Sequence, residues 1–405
     1  MTAHAGTAEG HSDASEPPRD FSLVLGGPLF QLLRRAHLSD DALTLARKRV
    51  IAISLFLWLP LLVLSAVEGK ALKGTVLVPF LLDLEQHIRF LVAVPLLIIA
   101  ELVVHQRMRP VVSLFVERKL ISEKTRPRFD AAVASAYRLR NSTIAELSLI
   151  AFVYVVGIQV VWRQYLALNT ATWYATPVAG GTELSIAGLW YGYVSLPLSQ
   201  FLLLRWYFRI FIWARFLWQT SRIELSLVPT HPDRLGGLGF IGGTIFAFAP
   251  LAAAHGALAT GPLANRIFYL GARLTDFKGE VVGLVLIVLF LVFAPLLVFA
   301  PQLGEARRRG VREYGTLAER YVREFETKWL RGGAPEGEAL VGSADIQSLA
   351  DLGNSLEVVR GMNVTPITKE AIVRLTAATL TPLVPLMLTM MPLEELVKKM
   401  LGLLF

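Results

Sequence analysis

The sequence predicts an all-α fold: a polytopic helical membrane protein with about seven transmembrane helices and a small helical cytoplasmic region. Two observations carry this prediction. Only 18% of the 405 residues are charged, whereas a soluble domain carries about 25%. Several uncharged apolar runs also approach the roughly 20 residues that a helix needs to cross a hydrocarbon core about 30 Å thick.

The apolar runs place the spans in order along the chain. We predict spans at residues 50–67, 90–105, 144–162, 184–204, 235–257, 281–300 and 375–393. Residues 71–89 begin apolar and then become polar, so they favour a periplasmic or re-entrant segment over a further span. The helix of the fourth span is expected to continue beyond the bilayer through Arg205 and Arg209.

The segments outside the bundle of residues 50–304 have distinct compositions. We expect a disordered cytoplasmic tail at 1–20, amphipathic cytoplasmic or interfacial helices (or a packed connector) at 21–49, and a basic cytoplasmic loop at 107–142 inside the bundle. A cytoplasmic helical region follows at 305–370, and residues 371–405 hold the last span and an amphipathic tail.

Helical spacing of apolar residues predicts the elements of the region 305–370. Tyr321, Phe325 and Trp329 share one helix face. The Gly/Pro break from Gly332 to Pro335 ends that helix. A second helix is predicted from an N-cap at Ser343 to a C-cap at Gly353.

Basic residues indicate the orientation. With the N-terminus in the cytoplasm, 31 of the 40 lysines and arginines fall in the segments before residue 50 and in 107–142, 205–234 and 305–374. Cytoplasmic segments of membrane proteins collect these residues, so the bias predicts this orientation. The side of the C-terminus stays open, because it depends on whether residues 71–89 cross.

Several classes of function are excluded by what the sequence lacks. The chain has no cysteine, which excludes disulfides, iron–sulfur clusters and thiolate zinc sites. We predict no metal and no cofactor. We also predict no nucleic-acid partner, because the positions of the basic residues in cytoplasmic segments explain the net charge of +8. No catalytic motif is present, so we predict that the protein is not an enzyme, with a lipid-acting membrane enzyme as the alternative.

Ionisable residues at membrane depth are the candidates for an ion pathway. Asp83 and His87 are four residues apart, as are Glu101 and His105, so each pair shares a helix face. An ionisable group costs a few kcal/mol inside a bilayer and usually faces a polar cavity or a partner. The alternative is an internal ion pair or hydrogen bond to another span.

Arg205 and Arg209 form the second candidate group, on a helix rich in aromatic residues. Their spacing lacks the three-residue repeat of a voltage sensor, and snorkelling to the interface is the alternative to a pathway role. If Arg205 faces a pore, it would favour anions.

The third candidate is the stretch 228–240, where His231, Asp233 and Arg234 precede Gly236 and Gly237. Backbone N–H groups at a glycine-rich helix start can bind a phosphate, a lipid headgroup or a carboxylate. The alternative has two parts: Pro232 and Asp233 form a turn and cap, and Gly239 and Gly243 allow close helix packing.

Three stretches of this chain resemble a family of uncharacterised bacterial, mostly proteobacterial, integral membrane proteins. They are LVPTHPDRLGGLGF at 227–240, GSADIQSLADLGNS at 342–355 and PLEEL at 392–396. The resemblance covers nearly the whole chain after residue 20 and implies a bacterial inner-membrane location. It implies no activity, so it assigns no site residue.

These observations favour an oligomeric membrane channel or transporter for a small ion, with Glu101, His105 and Arg205 on the pathway. The alternative is a non-catalytic accessory or sensor protein that binds a protein partner through its cytoplasmic helices. The face of Tyr321, Phe325 and Trp329 motivates that alternative.

Overall fold

The computed structural model describes residues 21–28, 31, 35, 45–72, 76–162, 171–178 and 181–388. The predicted tail at 1–20, most of the predicted helices at 21–49 and the amphipathic tail after residue 388 lie outside these residues. The α-helices are α1 Ala46–Val67, α2 Leu84–Ile88, α3 Val94–Met108, α4 Val111–Glu117, α5 Arg126–Arg140, α6 Thr143–Phe152, α7 Ile186–Trp190, α8 Leu196–Thr220, α9 Gly239–Gly243, α10 Ala249–Leu270, α11 Lys278–Phe293, α12 Ala300–Phe325, α13 Ala344–Arg360, α14 Lys369–Leu380 and α15 Val384–Met387.

Short π-helical or 3₁₀ turns join many of these helices end to end. The π-helical turns are Arg89–Ala93, Val153–Trp162, Tyr191–Ser195 and Glu326–Leu330, and the 3₁₀ turns are Phe80–Leu82, Thr244–Phe248, Leu274–Phe277, Ala294–Phe299 and Thr381–Leu383. The strands β1 (Ala175–Val178) and β2 (Gly181–Leu184) form one antiparallel hairpin in which Ala175 pairs with Leu184. The fold is therefore mostly helical, as predicted.

Five helices within the described residues are long and apolar enough to span a membrane, and a sixth is added if one bent pair counts as a span. The five are Ala46–Val67, Leu84–Glu117, Gly239–Leu270, Leu274–Leu330 and Lys369–Met387, and the pair Arg126–Arg140 and Thr143–Gly157 bends by 47°. The expected count was about seven. The difference is the stretch 184–204, whose serines, glycines, proline and glutamine reduce its apolarity, although most of it is helical in α7 and α8.

The predicted span at 281–300 and the predicted cytoplasmic helix are parts of one helix, Leu274–Leu330, of 57 residues. At 1.5 Å per residue it is about 85 Å long, far more than a hydrocarbon core of about 30 Å. About two thirds of its length therefore lies outside the hydrocarbon core. It ends as predicted, just before Gly332, which takes a φ of +75°.

The helix after this break, α13, starts where the sequence predicts and ends later. Ser343 caps it, accepting the N–H of Asp345 at 3.1 Å. The predicted C-cap at Gly353 is wrong, because α13 continues through Gly353 to Arg360. Its packing against α12 outweighs the roughly 1 kcal/mol that an interior glycine costs a helix.

The first described segment, residues 21–28, starts as a packed connector, the alternative to the predicted amphipathic helix. Phe21 is buried and its ring stacks on Phe216, with ring centroids 5.0 Å apart, and contacts Tyr137 and Trp213. The backbone of residues 21–25 is non-helical and turns at Ser22, whose hydroxyl accepts the N–H groups of Val24 and Leu25. This segment is part of the protein core and does not lie along the membrane surface.

The helix α10 forms the centre of the bundle and contacts α2, α3 and α14. Glycines allow the closest approaches: a Cβ at Gly256 would lie 1.9 Å from the carbonyl oxygen of Thr379, and one at Gly261 would lie 2.8 Å from Cα of Glu85. The sequence had placed this packing at Gly239 and Gly243. Gly243 has no neighbour within 4 Å, so for that glycine the expectation was wrong.

Candidate functional site

Five buried ionisable side chains from four helices meet inside the bundle, and we call them the arginine–glutamate cluster. Glu101 of α3 lies at its centre: Arg49 Nη2 is 2.6 Å from Oε2, and Arg209 Nη1 is 2.6 Å from Oε1. Arg205 bridges the two carboxylates, with Nη1 3.4 Å from Glu101 Oε1 and Nε 3.5 Å from Glu146 Oε1. All five side chains are at most 8% exposed.

The local sequence of α8 directs its two arginines into this cluster. Arg205 and Arg209 are one helical turn apart, so they share a face. Between them Trp206 fixes α8 against α3, because its indole N–H donates to the carbonyl of Leu97 at 2.9 Å. The Trp206 ring also lies 4.9 Å from Cζ of Arg209, which adds a cation–π contact.

The cluster carries more positive than negative charge. Among the residues that the structure describes, three guanidinium groups face two carboxylates, which leaves an excess of one positive charge. Nε of Arg49 and Nη2 of Arg209 are buried and have no hydrogen-bond partner among the described residues. A buried donor without a partner costs about 1–3 kcal/mol, and more when it is charged. The cluster can therefore accept an anion, which would satisfy these donors and balance the charge.

A cavity of about 10 Å³ adjoins the cluster, which is about the space of one water molecule. Its walls are Leu23, Gly26, Arg140, Glu146, Arg205, Phe208, Arg209 and Ile212. Leu23 and Gly26 belong to the N-terminal segment, so this segment closes the cavity on one side.

Two polar contacts anchor the N-terminal segment beside the cluster. Arg140 Nη1 donates to the carbonyl of Ser22 at 2.7 Å, and Ser22 Oγ lies 2.9 Å from Nδ1 of His105. The Ser22 oxygen already accepts two backbone N–H groups, so its hydroxyl donates to His105. His105 then carries its proton on Nε2.

The structure brings together Glu101, Arg205 and Arg209, which the sequence singled out separately. It places His105 one helical turn from Glu101, with Nδ1 of His105 2.9 Å from Ser22 Oγ. Sequence reasoning missed Arg49 and Glu146. Arg49 had been assigned to the basic flank of the first span, but Glu146 gave a usable signal, as the only charged residue within the apolar stretch 144–162.

Asp83 and His87 lie apart from this cluster. Asp83 is buried and accepts from Trp173 Nε1 at 2.9 Å and from Asn265 Nδ2 at 2.8 Å. His87 accepts from Trp58 Nε1 at 2.9 Å through Nδ1, so its other nitrogen donates to the carbonyl of Leu81 at 3.2 Å. Trp173 is fully buried. These contacts are those of the structural alternative, hydrogen bonds to other segments.

His255 of α10 also has two partners within the fold. Its Nδ1 donates to the carbonyl of Leu251 at 2.8 Å, and the Tyr207 hydroxyl lies 2.9 Å from Nε2. Because Nδ1 carries the proton, Tyr207 is the donor to Nε2. His255 is therefore a hydrogen-bonded interior histidine.

The glycine-rich loop after α8 is organised by Asp233. Its Oδ1 accepts the N–H groups of Leu235 at 2.8 Å and Gly237 at 3.1 Å, and Oδ2 accepts that of Gly239 at 2.8 Å. Burial opposes ionisation of Asp233, but these three bonds and the nearby His231 hold its pKa below the ordinary value of 3.8. The loop N–H groups thus have an internal acceptor, as in the turn-and-cap alternative.

The other loop candidates support this turn. Arg234, Gly236 and Gly237 take φ values of +53°, +63° and +100°. Glycine adopts such angles without strain, which explains the two glycines. The carbonyl oxygen of Arg234 accepts the backbone N–H of Asn363 at 2.7 Å, which joins this loop to the segment that follows α13. His231 Nδ1 lies 2.9 Å from Asp233 Oδ1.

Among the described residues, no group of three His, Cys, Asp or Glu side chains is placed to hold a metal ion.

Comparison of the chain with known protein families, with curated proteins and with solved structures finds no match. The family resemblance of the three sequence stretches therefore stays a prediction. The arginine–glutamate cluster is the feature from which a function can be argued.

Proposed function

We propose that this protein is a membrane channel or transporter for a small ion, and that the ion is an anion. One observation carries the proposal: the buried arginine–glutamate cluster has one excess positive charge and two guanidinium donors without a hydrogen-bond partner among the described residues. Buried charge is costly in a membrane protein, and ionisable residues inside the bundle of such proteins mark ion pathways.

The adjoining cavity limits the size of the ion. At about 10 Å³ it has room for at most one water-sized species, so an organic substrate does not fit and an inorganic anion requires its walls to move apart. Leu23 and Gly26 close the cavity in this conformation. Entry of an ion requires the N-terminal segment or a neighbouring side chain to move.

Anion flux through purified protein in liposomes tests this proposal. We expect Arg209→Gln to lower chloride flux by about 10- to 100-fold, because one charged contact contributes about 1.5–3 kcal/mol. The matched control is Arg215→Gln on the same helix, whose guanidinium donates to Ser135 Oγ at 3.1 Å outside the cluster. Its flux should stay within about twofold of the unmodified protein.

The double variant Glu101→Gln/Arg209→Gln separates charge from folding. It removes one charge of each sign, so the cluster keeps its excess positive charge, and we expect more chloride flux than with Arg209→Gln alone. The elution volume in detergent reports folding for each variant. The proposal fails if correctly folded Arg209→Gln conducts chloride normally, or if potassium flux exceeds chloride flux. Unchanged flux in Glu101→Gln would remove Glu101 from the pathway.

The proposal extends to location and assembly. The apolar helices place the protein in contact with a lipid bilayer. We propose that this is the bacterial inner membrane, with the N-terminus in the cytoplasm. The support for this orientation is that 31 of the 40 basic residues then fall in cytoplasmic segments. We also propose a homo-oligomer. The cluster is built within one chain, so each protomer would hold its own ion site.

A second candidate function, an accessory or sensor protein, is favoured by exposed apolar side chains on the helical hairpin of α12 and α13. Val341 is 90% exposed and Leu330 is 73% exposed. The face predicted to bind a partner packs on α13 instead: Trp329 Nε1 and the Tyr321 hydroxyl donate to Asp345. Site-specific photo-crosslinking from position 341 in cells tests this function, and the absence of any crosslinked protein would exclude it.

We propose no enzymatic role. A lipid-acting enzyme would need a cavity that collects His231, Asp233 and Arg234. Asp233 instead engages the loop backbone.

A further inference from the structure

Three neighbouring cavities form a continuous groove where α8 ends and α12 begins. Their volumes are about 660, 340 and 260 Å³. The first and second share Glu224, Leu225 and Arg309, and the second and third share Arg222 and Gln302. We call the three together the amphipathic groove, because its two ends differ in chemistry.

One end of the amphipathic groove is polar and positively charged. Its lining includes Lys124, Arg128 and Arg309, with Glu224 as the acidic residue. The three basic side chains have no ion-pair partner among the residues that the structure describes. Ser122, Thr125 and Ser226 line the same cavity, and the Ser122 and Thr125 hydroxyls lie 3.0 Å from each other. Cations without an ion-pair partner suit a phosphate group.

The other end is apolar and opens towards lipid. It is lined by Trp218, Leu297, Val298 and Pro301, and Trp218 and Leu297 are 48% and 45% exposed. Leu297 continues a line of exposed apolar residues on the spanning helix, since Phe290 lies seven residues earlier and is 70% exposed. The apolar end of the groove thus opens onto the surface that faces the hydrocarbon core.

The groove is held open by hydrogen bonds between its walls. Gln302 Nε2 donates to the carbonyls of Ser221 at 2.6 Å and Ile223 at 2.8 Å, which ties the loop after α8 to α12. Between the two ends, Arg222 lies over the ring of Trp218, with Cζ 5.4 Å from the centroid. A pre-formed groove binds a ligand without a large ordering cost.

We propose that the amphipathic groove binds one anionic phospholipid, with its phosphate between Lys124, Arg128 and Arg309 and an acyl chain along Trp218 and Leu297. The apolar end favours a lipid over a free phosphate, which would occupy only the polar end. The net positive lining favours an anionic headgroup over a zwitterionic one. This site is separate from the arginine–glutamate cluster, so it does not depend on the proposed transport.

Native mass spectrometry of the full chain, titrated with phosphatidylglycerol or phosphatidylcholine, tests the proposal. We expect phosphatidylglycerol to bind at least about tenfold more tightly. Each basic residue near an anionic surface contributes about 1 kcal/mol, so Arg128→Gln/Arg309→Gln should weaken phosphatidylglycerol binding by on the order of 25-fold. The matched control Arg138→Gln/Arg320→Gln changes two exposed arginines on the same two helices and should leave binding unchanged.

A second variant and a soluble probe distinguish a lipid from a free phosphate. Trp218→Ala should weaken phosphatidylglycerol binding several-fold, because it removes part of the apolar end. Glycerol 3-phosphate should bind at least about 100-fold more weakly than phosphatidylglycerol. Equal binding of the two lipids would overturn the proposal. Glycerol 3-phosphate binding as tight as that of phosphatidylglycerol would also overturn it and assign a soluble phosphate ligand. An unchanged elution volume shows that each variant is folded.

Discussion

At the scale of single residues, Glu101 is the counter-ion on which the buried charges depend. Arg49 and Arg209 each contact one of its oxygens at 2.6 Å, and Arg205 lies 3.4 Å from it. Without this carboxylate, Glu146 alone would face three guanidinium groups. A buried pair adds little net stability while it is complete, but breaking it leaves charges without compensation.

We therefore expect Glu101→Gln to lower the free energy of unfolding by about 3–5 kcal/mol. Thermal unfolding in detergent measures this change. The matched control is Glu280→Gln, which removes an exposed partner of Arg266 and should change stability by less than about 1 kcal/mol. If both variants unfold at the temperature of the unmodified protein, Glu101 does not hold the cluster together.

Asp233 gives the second prediction at this scale. Three backbone N–H groups stabilise its ionised form and hold its pKa below 3.8. A lowered carboxyl pKa stabilises the fold above the ordinary value, and this contribution is lost as the pH falls below it. We expect the melting-temperature difference between the unmodified protein and Asp233→Asn to be largest near pH 7 and to shrink below about pH 4.

Melting curves in detergent from pH 7 to pH 3 measure this dependence. The control Asp351→Asn changes an exposed aspartate on α13 that accepts from Gln347. It should alter the melting temperature little. A difference between the unmodified protein and Asp233→Asn that grows on acidification would contradict the argument.

At the scale of elements, glycines allow α10 to pack closely against two neighbouring helices, α14 and α2. At Gly256 the backbone of α14 comes so close that a Cβ would lie 1.9 Å from the carbonyl oxygen of Thr379. Small residues permit this approach, and within a bilayer close packing supplies much of the energy of helix association. The helix α10 also packs on α3, which carries Glu101. The crossings of α10 therefore help to position Glu101 within the bundle.

We expect Gly256→Ala to lower the free energy of unfolding by about 1–3 kcal/mol or more, because the added methyl group forces α10 and α14 apart. The matched control is Gly243→Ala, where no atom lies within 4 Å. Alanine favours helix by roughly 0.5–1 kcal/mol, so this control should be neutral or stabilising. Equal melting temperatures for the two variants would show that the crossing is not tight.

At the scale of the whole molecule, the long helix Leu274–Leu330 connects the two ends of the bundle. Its first part is apolar, and its second part leaves the membrane and pairs with α13. Gly279 at its start and Ser348 on α13 are exposed and lie at opposite ends. The orientation therefore decides which of them faces the cytoplasm.

Cysteine labelling measures the orientation directly, because the chain has no cysteine of its own. In intact spheroplasts of a bacterial host, an impermeant maleimide should label Gly279→Cys at once and Ser348→Cys only after the membrane is permeabilised. Labelling of a denatured sample controls for reactivity. The reverse pattern would place the N-terminus outside and overturn the proposed orientation.

The amino-acid sequence was enough to predict the class of the protein, because apolarity and length decide which segments can cross a bilayer. It also located the break after residue 330 and the cap at Ser343, since these depend on the local backbone. It predicted that Glu101, Arg205 and Arg209 carry costly charge.

The partners of the buried charges could be read only from the folded protein. Glu101 and Arg205 are 104 residues apart, and no local pattern couples them. The same limit explains the error at Gly353, and it explains why the sequence left residues 21–25 open between a helix and a packed connector, since packing against distant helices overrides local preference. Spacing alone placed His105 with Glu101, but the fold brought Ser22 to His105 and three arginines to Glu101. Partners of buried charges are chosen by the contacts between helices, which the spacing within one helix does not encode.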